Sequence, residues 1–238
     1  MTALLDELKT GVNNILKMPW KIREASKVPD TDDVALTSGG AKFKGTVLYS
    51  DLAQSSQLVT EFQRRTAAKI IKCFLYCCSK LISYHNGKIT SFDGDRIMGV
   101  FIGDSKNTDA CTTALKIKYA TTEIIKPKVE DYFRSMRESP FEINHAVGID
   151  TSAILAVRAG QRGSNDLIWV GRSPNFSASL SEIRETHYNS YITKNVFSVI
   201  NDSAKYGGKN RELMWEKRIY AWLGKNWTIY RSDWYWKP

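Results

Sequence analysis

The stretch GTVLYSDLAQSSQ, residues 45–57, joins a short apolar run to an aspartate and then to small polar residues that open a helical pattern. Thr46, Val47, Leu48 and Tyr49 are β-branched, aliphatic or aromatic, and Gly45 bounds them, which reads as a buried strand. Side chains alternate along a strand, so Val47, Tyr49 and Asp51 share one face. A carboxylate at a strand end, followed by a helix start at Ser55 or Ser56, suits a cation and the phosphates it carries. An isolated aspartate is as readily a solvated turn residue, so the meaning of Asp51 depends on partners elsewhere in the chain.

Downstream, apolar residues from Leu58 to Ile82 keep helical spacing, predicting one long helix that ends near His85 at Asn86-Gly87. GKITSFDGDRIMGVFIGD then places two apolar runs around an Asp-Gly turn, a hairpin with Asp93 and Asp95 at its tip. A second helix is expected over 108–129. FEINHAVGID reads as a strand with Ala153–Val157 as its hairpin partner, followed by a glycine-rich basic loop over 158–166 that holds Arg158 and Arg162. Leu167–Val170 is a short strand. Pro174 suits the first turn of a helix running to about Arg184, and a strand and short helix follow at 188–200. Upstream, Leu4, Leu5, Leu8, Val12, Ile15 and Leu16 predict an amphipathic helix over residues 1–25, and the Pro, Gly and Asp content of 26–42 reads as a linker. The main domain then spans 43–200. Residues 201–238 hold five of the seven tryptophans and two strands around Gly224-Lys225-Asn226 that complete it. Such aromatics serve as a base-stacking platform or, more commonly, as packing.

The 238 residues, 42% hydrophobic and 25% charged, suffice for a domain with a real core. No run is long and apolar enough for a membrane span, and the N-terminus lacks the pattern of a signal peptide. Three of the four cysteines, Cys73, Cys77 and Cys78, fall in one helical pattern, which disfavours disulfides and zinc and points to reduced thiols in the cytoplasm. The net charge of +9 favours polyanionic ligands. Its lysines and arginines are scattered rather than striped, which argues against stable nucleic-acid binding. His85, His145 and His187 read as a helix cap, a core residue and a surface residue.

Asp51 and Asp95 thus sit at comparable places, and neighbouring strands of a βαββ unit bring them to one sheet edge. Two carboxylates, a backbone carbonyl and phosphate oxygens can hold Mg²⁺ against a triphosphate.

With these residues in view, VLYSDLAQSSQL, GKITSFDGDRIMGVFIG, NHAVGIDTSAILAV and IWVGRSPNFSASLSEIRE, in that order and spacing, resemble the class III nucleotidyl cyclase domain. The resemblance implies an α+β, ferredoxin-like βαββαβ domain: an antiparallel sheet with helices on one face, working as a head-to-tail homodimer with two interfacial active sites. It implies that one protomer holds two Mg²⁺ or Mn²⁺ ions through Asp51, Asp95 and the backbone carbonyl of Leu52. The other supplies base-reading residues, an asparagine that orients the ribose (Asn175) and an arginine for the transition state. The reaction would be attack of the ribose 3′-hydroxyl on the α-phosphate, giving a 3′,5′-cyclic nucleotide and pyrophosphate.

The departures from that pattern are as informative. Ser91 stands where adenylyl cyclases carry lysine and guanylyl cyclases glutamate, and Ile168 stands where adenylyl cyclases carry aspartate. Tyr49 shares a face with Asp51 and narrows the space for a base, and Arg96 is placed to read a pyrimidine carbonyl or to touch phosphate. Together with the lead-in VPDTDDVALTSGGAKFKGTVLYSDL and the turn VGRSPN, this resembles the pyrimidine cyclases of bacterial Pycsar anti-phage systems. Those make cyclic UMP or cyclic CMP for a separately encoded effector; UTP is favoured here over CTP. Ser179 occupies the place of the transition-state arginine, leaving Arg172 and Arg184 as candidate replacements. A purine cyclase, and a pseudo-cyclase that only binds a nucleotide or nucleic acid, remain the alternatives. No GGDEF-like signature of a diguanylate cyclase is present.

Overall fold

The computed structural model describes residues 2–238. The chain forms two compact units: the residues up to Lys44 with Ala153–Gly171, and Gly45–Ser152 with Arg172–Pro238.

Helix α1 (Ala3–Lys17) carries the expected apolar stripe but stops well short of residue 25, and it buries none of its side chains. Pro19 disfavours helical backbone at Met18, whose φ, ψ of −73°, 125° are extended. Strand β1 (Lys21–Glu24) follows and runs parallel to Gly39–Lys42. The span read as a linker is structured. The Asp33 carboxylate accepts the Asp30 amide across a 3₁₀ turn at Thr31–Asp33, and Val28 and Val34 are buried. Strand β2 (Gly39–Leu52) therefore starts before residue 43.

The single helix expected after β2 is two, α2 (Ser55–Glu61) and α3 (Arg64–Tyr84). Phe62 interrupts them in extended conformation and packs edge-on against Phe141, 5.6 Å between ring centres. The cap of α2 is Gln54, in left-handed conformation at φ 57°, rather than either serine. Strands β3 (Lys88–Asp93) and β4 (Arg96–Phe101) form the predicted hairpin, with Gly94 at φ 61° in its turn. Helix α4 (Lys106–Tyr119) passes through a π-helical turn, Ala120–Ile125, into α5 (Lys126–Tyr132). Pro127 has no N–H for the α-helical ladder, which accounts for a register change at this place. Helix α6 (Arg134–Arg137) is one turn.

Strand β5 (His145–Gln161) runs straight through the position expected for a turn, its second half pairing with the strand that follows. The reversal comes at Arg162-Gly163, with Gly163 at φ 87°, so the hairpin partner is β6 (Ser164–Gly171), paired from Ile154↔Gly171 to Gln161↔Ser164. The glycine-rich segment is thus the tip of this hairpin. Arg158 bonds Asn165 Oδ1 at 2.6 Å and Asp32 at 3.3 Å, and Arg162 is exposed at the tip. Helix α7 (Arg172–Ser181), β7 (Ser190–Thr193), α8 (Lys194–Val199) and α9 (Asp202–Lys205) follow. Short strands β8 (Tyr206–Gly207) and β9 (Glu212–Leu213) pair with each other, and β10 (Glu216–Trp222) and β11 (Lys225–Ser232) form the aromatic hairpin.

The sheet of the larger unit has the order β10-β11-β7-β5-β2-β4-β3. The pairs β2·β4, β3·β4, β7·β11 and β10·β11 are antiparallel, whereas β5·β7 is parallel, so the α+β class holds with a mixed sheet. Leu48, Leu52, Ile97, Phe101, Val147 and Ile149 turn one face to Ile70, Phe74 and Cys78 of α3 and Leu115 of α4. Each such side chain, fully buried, stabilises the fold by about 1.5–3 kcal/mol. The alternate residues face the other way, where Ala146, Tyr191 and Ile229 pack against Phe176 and Leu180 of α7. Helices therefore lie on both faces, not one. Gly148 permits the second contact: a Cβ there would lie 2.1 Å from the Ser177 carbonyl oxygen. Trp222 stacks on Phe176 at 4.2 Å and Trp227 meets it edge-on at 5.1 Å, so these aromatics are packing. All four thiols are free, and among the described residues no helix is long and apolar enough to cross a membrane.

Candidate active site

Asp51 lies at the end of β2, on the face away from α3, directly across from Arg96 of β4. It is 4% exposed. Both of its oxygens are engaged: Arg96 Nε donates to Oδ1 at 3.2 Å and Arg184 Nη2 to Oδ2 at 2.5 Å. Arg96 also pairs with Glu182 at 2.9 Å, so its guanidinium bridges two carboxylates instead of standing free for a base. Burial pushes the Asp51 carboxyl above the usual range; the Arg184 hydrogen bond and the Arg96 charge oppose this, and the Asp95 charge adds to it. Asp95, in the turn between β3 and β4, has a buried Oδ2 without a hydrogen-bond partner. The hairpin therefore does bring the two carboxylates into mutual repulsion, with one oxygen left unsatisfied. A hard divalent cation relieves both. Among the described residues no group of three or more His, Cys, Asp or Glu gathers, so an ion here must complete its shell with oxygens such as the Leu52 carbonyl, water and substrate phosphate. Leu52 is the last residue of β2, and Ser55 and Ser56 open α2 just beyond it.

Tyr49 and Ser91 lie in one row across β2, β4 and β3, each opposite Met98. They are near neighbours in that row, and burial raises the Tyr49 pKa, which the Ser91 hydroxyl opposes, keeping the phenol neutral. Ile168, on β6, is 48% exposed and offers a base no hydrogen bond.

On α7 the candidates separate. Arg172 grips Asp150 through Nε at 2.8 Å and Nη2 at 3.1 Å, and also donates to the Thr151 carbonyl at 2.8 Å. Asp150 is wholly buried and accepts the Thr193 hydroxyl at 2.6 Å. These bonds tie up the Arg172 guanidinium in an ion pair with a buried carboxylate. Asn175 is exposed in the first turn of α7, and Ser179 follows one turn later on the same side. The Ser179 hydroxyl pairs with that of Tyr220 at 3.0 Å. Of the two candidate arginines, only Arg184 reaches Asp51.

Sequence reasoning missed the Arg184–Asp51 pair and the roles of Glu182, Asp150 and Tyr220. Asp150 had a signal: a carboxylate closing the apolar run AVGI needs a cation or a donor. Reasoning also missed a cavity of about 720 Å³ lined by Gln54, Asn144, His145, Lys118 and Arg184. His145 is 2% exposed with both ring nitrogens unpartnered, and burial drives its pKa down to about 3. Lys118 donates to the carbonyls of His187 and Asp233 at 2.8 and 2.6 Å, and burial lowers its pKa to about 8.

No family model matches the chain. It is 42% identical over 236 residues to a uridylate cyclase of Rhodovulum sp. (strain MB263), covering 99% of this chain and 98% of that protein. A uridylate cyclase of Xanthomonas perforans is 40% identical over 236 residues, 99% of either chain. Among solved structures, the guanylyl cyclase Cya2 shares the fold with a TM-score of 0.69 at 17% identity, over 84% of this chain and 96% of that one.

Proposed function

This chain belongs to the uridylate cyclase family, nucleotidyl cyclases of the class III fold, and from that membership we propose that it converts UTP to 3′,5′-cyclic UMP and pyrophosphate as a head-to-tail homodimer. The observation that carries the choice of base is the placement of Tyr49 and Ser91 side by side opposite Met98. On the protomer that supplies the base-reading residues it presents a ring and two short hydroxyls, where a purine needs depth and longer polar side chains. Ile168 adds no group that would read a purine edge.

Asp51, Asp95 and the Leu52 carbonyl would hold two Mg²⁺ or Mn²⁺ ions, which when bound supply positive charge to the triphosphate and lower the pKa of the attacking hydroxyl. Ser55 and Ser56, at the start of α2, meet the phosphates. Asn175, contributed by the second protomer, orients the ribose. Arg184 supplies the cationic donor that Ser179 cannot, a contribution worth about 10²–10³ in rate. The product signals to a separately encoded effector in cytoplasmic anti-phage defence.

Incubating the purified protein with each of the four NTPs and Mn²⁺ tests this reading. Cyclic UMP as the main product, lost in Asp51→Ala, is the expected result. No cyclic product from any NTP would refute the assignment, and a preference for ATP or GTP would refute the role of Tyr49 and Ser91.

A further inference from the structure

The Asp51 carboxylate has a cation on each oxygen before any metal is considered, and the two arginines are held differently. Arg96 is fixed by β4 and by Glu182. Arg184 lies beyond the end of α7 in the segment that leads to β7, and 38% of its side chain is exposed. Its Nη1 donates to the carbonyls of Ser181 and Ile183, at 2.6 and 3.2 Å. It also lines the 720 Å³ cavity, where its charge acts on the unpartnered His145. One guanidinium thus has Asp51 on one side and open volume on the other.

We propose that Arg184 is the resident counter-ion of Asp51: it occupies Oδ2 until a divalent ion takes that oxygen, and the ion then displaces it toward the cavity. The inference rests on Asp51 being a metal ligand. Charge balance favours the exchange. Asp51, Asp95 and Glu182 carry three negative charges, and Arg96 and Arg184 two positive ones. A buried carboxylate left with one partner would be costly without the second cation, and a guanidinium and a divalent ion crowded on Oδ2 repel each other strongly. Arg184 therefore keeps the ligand ionised and oriented, and it sets a threshold that the metal must overcome. Once displaced, the guanidinium is a free donor beside the catalytic carboxylates, available to phosphate oxygens. In this role Arg184 is a positioning residue for the metal ligand.

Binding of Mn²⁺ to the nucleotide-free protein, followed by loss of the free-ion electron paramagnetic resonance signal, tests the exchange apart from turnover. Arg184→Gln removes the competing charge and is expected to tighten Mn²⁺ binding about 10-fold, the worth of one charge-assisted hydrogen bond. Arg184→Lys keeps a charge but not the forked donor, and is expected to tighten binding about 3-fold, an intermediate effect. Should Arg184→Gln not fold, Arg184→Lys carries the test alone. Mn²⁺ affinity unchanged or weakened in a folded variant overturns the proposal. Asp51→Ala is the separate control: it should lose Mn²⁺ binding, and wild-type affinity there would instead remove the metal-site reading on which the inference rests.

Discussion

Replacing Arg172 with glutamine decides whether that residue belongs to the chemistry or to the scaffold. In the structure its guanidinium makes two bonds to Asp150 and one to the Thr151 carbonyl. Asp150 would be left wholly buried with the Thr193 hydroxyl as its partner. Removing one member of a buried ion pair costs about 3–5 kcal/mol, because the other charge stays in the low-dielectric interior. The Arg172 side chain is 30% exposed, so water can enter the gap and the lower end applies, about 3 kcal/mol. In a chain of this size that lowers the melting midpoint by about 6–12 °C. Urea denaturation of Arg172→Gln should show the loss, and Asp150→Asn with Arg172→Gln should recover most of it, since no unpaired charge remains. Measured well below the midpoint, turnover per folded site should stay within a few-fold of wild type. A variant that keeps its stability to within about 0.5 kcal/mol yet loses about 10²–10³ in rate would refute this, and would return Arg172 to the transition state.

Gly148→Ala should destabilise the protein by at least about 2 kcal/mol in urea titration, because its methyl would lie 2.1 Å from the Ser177 carbonyl oxygen and 2.6 Å from Leu180 Cβ. His145 has a folded-state pKa of about 3, below its unfolded value near 6.5, because burial disfavours the imidazolium. The unfolded chain therefore binds the extra proton as pH falls from about 6.5 to 3, and stability declines by up to about 1.4 kcal/mol per pH unit. His145→Gln should flatten this part of the stability-against-pH curve; an unchanged slope would contradict the neutral buried histidine. Tyr49→Ala should raise the ratio of ATP to UTP turnover by about 10-fold, since shape discrimination of this kind is worth about 1–3 kcal/mol. An unchanged ratio in a competition assay would show that Tyr49 does not limit the base.

Much of this architecture could be read from residues 45–101. The alternation through Val47, Tyr49 and Asp51, and the Asp-Gly turn before Asp95, depend on local backbone preferences that tertiary context did not overturn. What could not be read depended on partners distant in sequence. The extension of β5 past Ala153 is set by its pairing with β6 from Ile154 to Gln161, and the break between α2 and α3 by Phe141 across from Phe62. The placement of α7 on the far face rests on two apolar residues, Phe176 and Leu180, too few to announce a packing face by periodicity. The site divided likewise. Residue types and order pointed to Asp51 and Asp95, whereas the use of Arg172, Arg184 and Arg96 is a matter of which carboxylate each side chain reaches. Spacing along the chain carries no information about that.

The order of elements around α7 has a consequence for synthesis on the ribosome. Asn175 is carried on a helix whose inner residue, Phe176, is covered by Trp222 and Trp227, from strands that follow it in the chain. Strand β11 also supplies the edge onto which β7 is zipped. Chains fold largely from the N-terminus as they emerge, so Asp51 and Asp95 can be in place while α7 still lacks its outer wall. In a nascent or prematurely terminated polypeptide both carboxylates would stand on an incomplete scaffold, with the inner face of the helix that carries Asn175 uncovered.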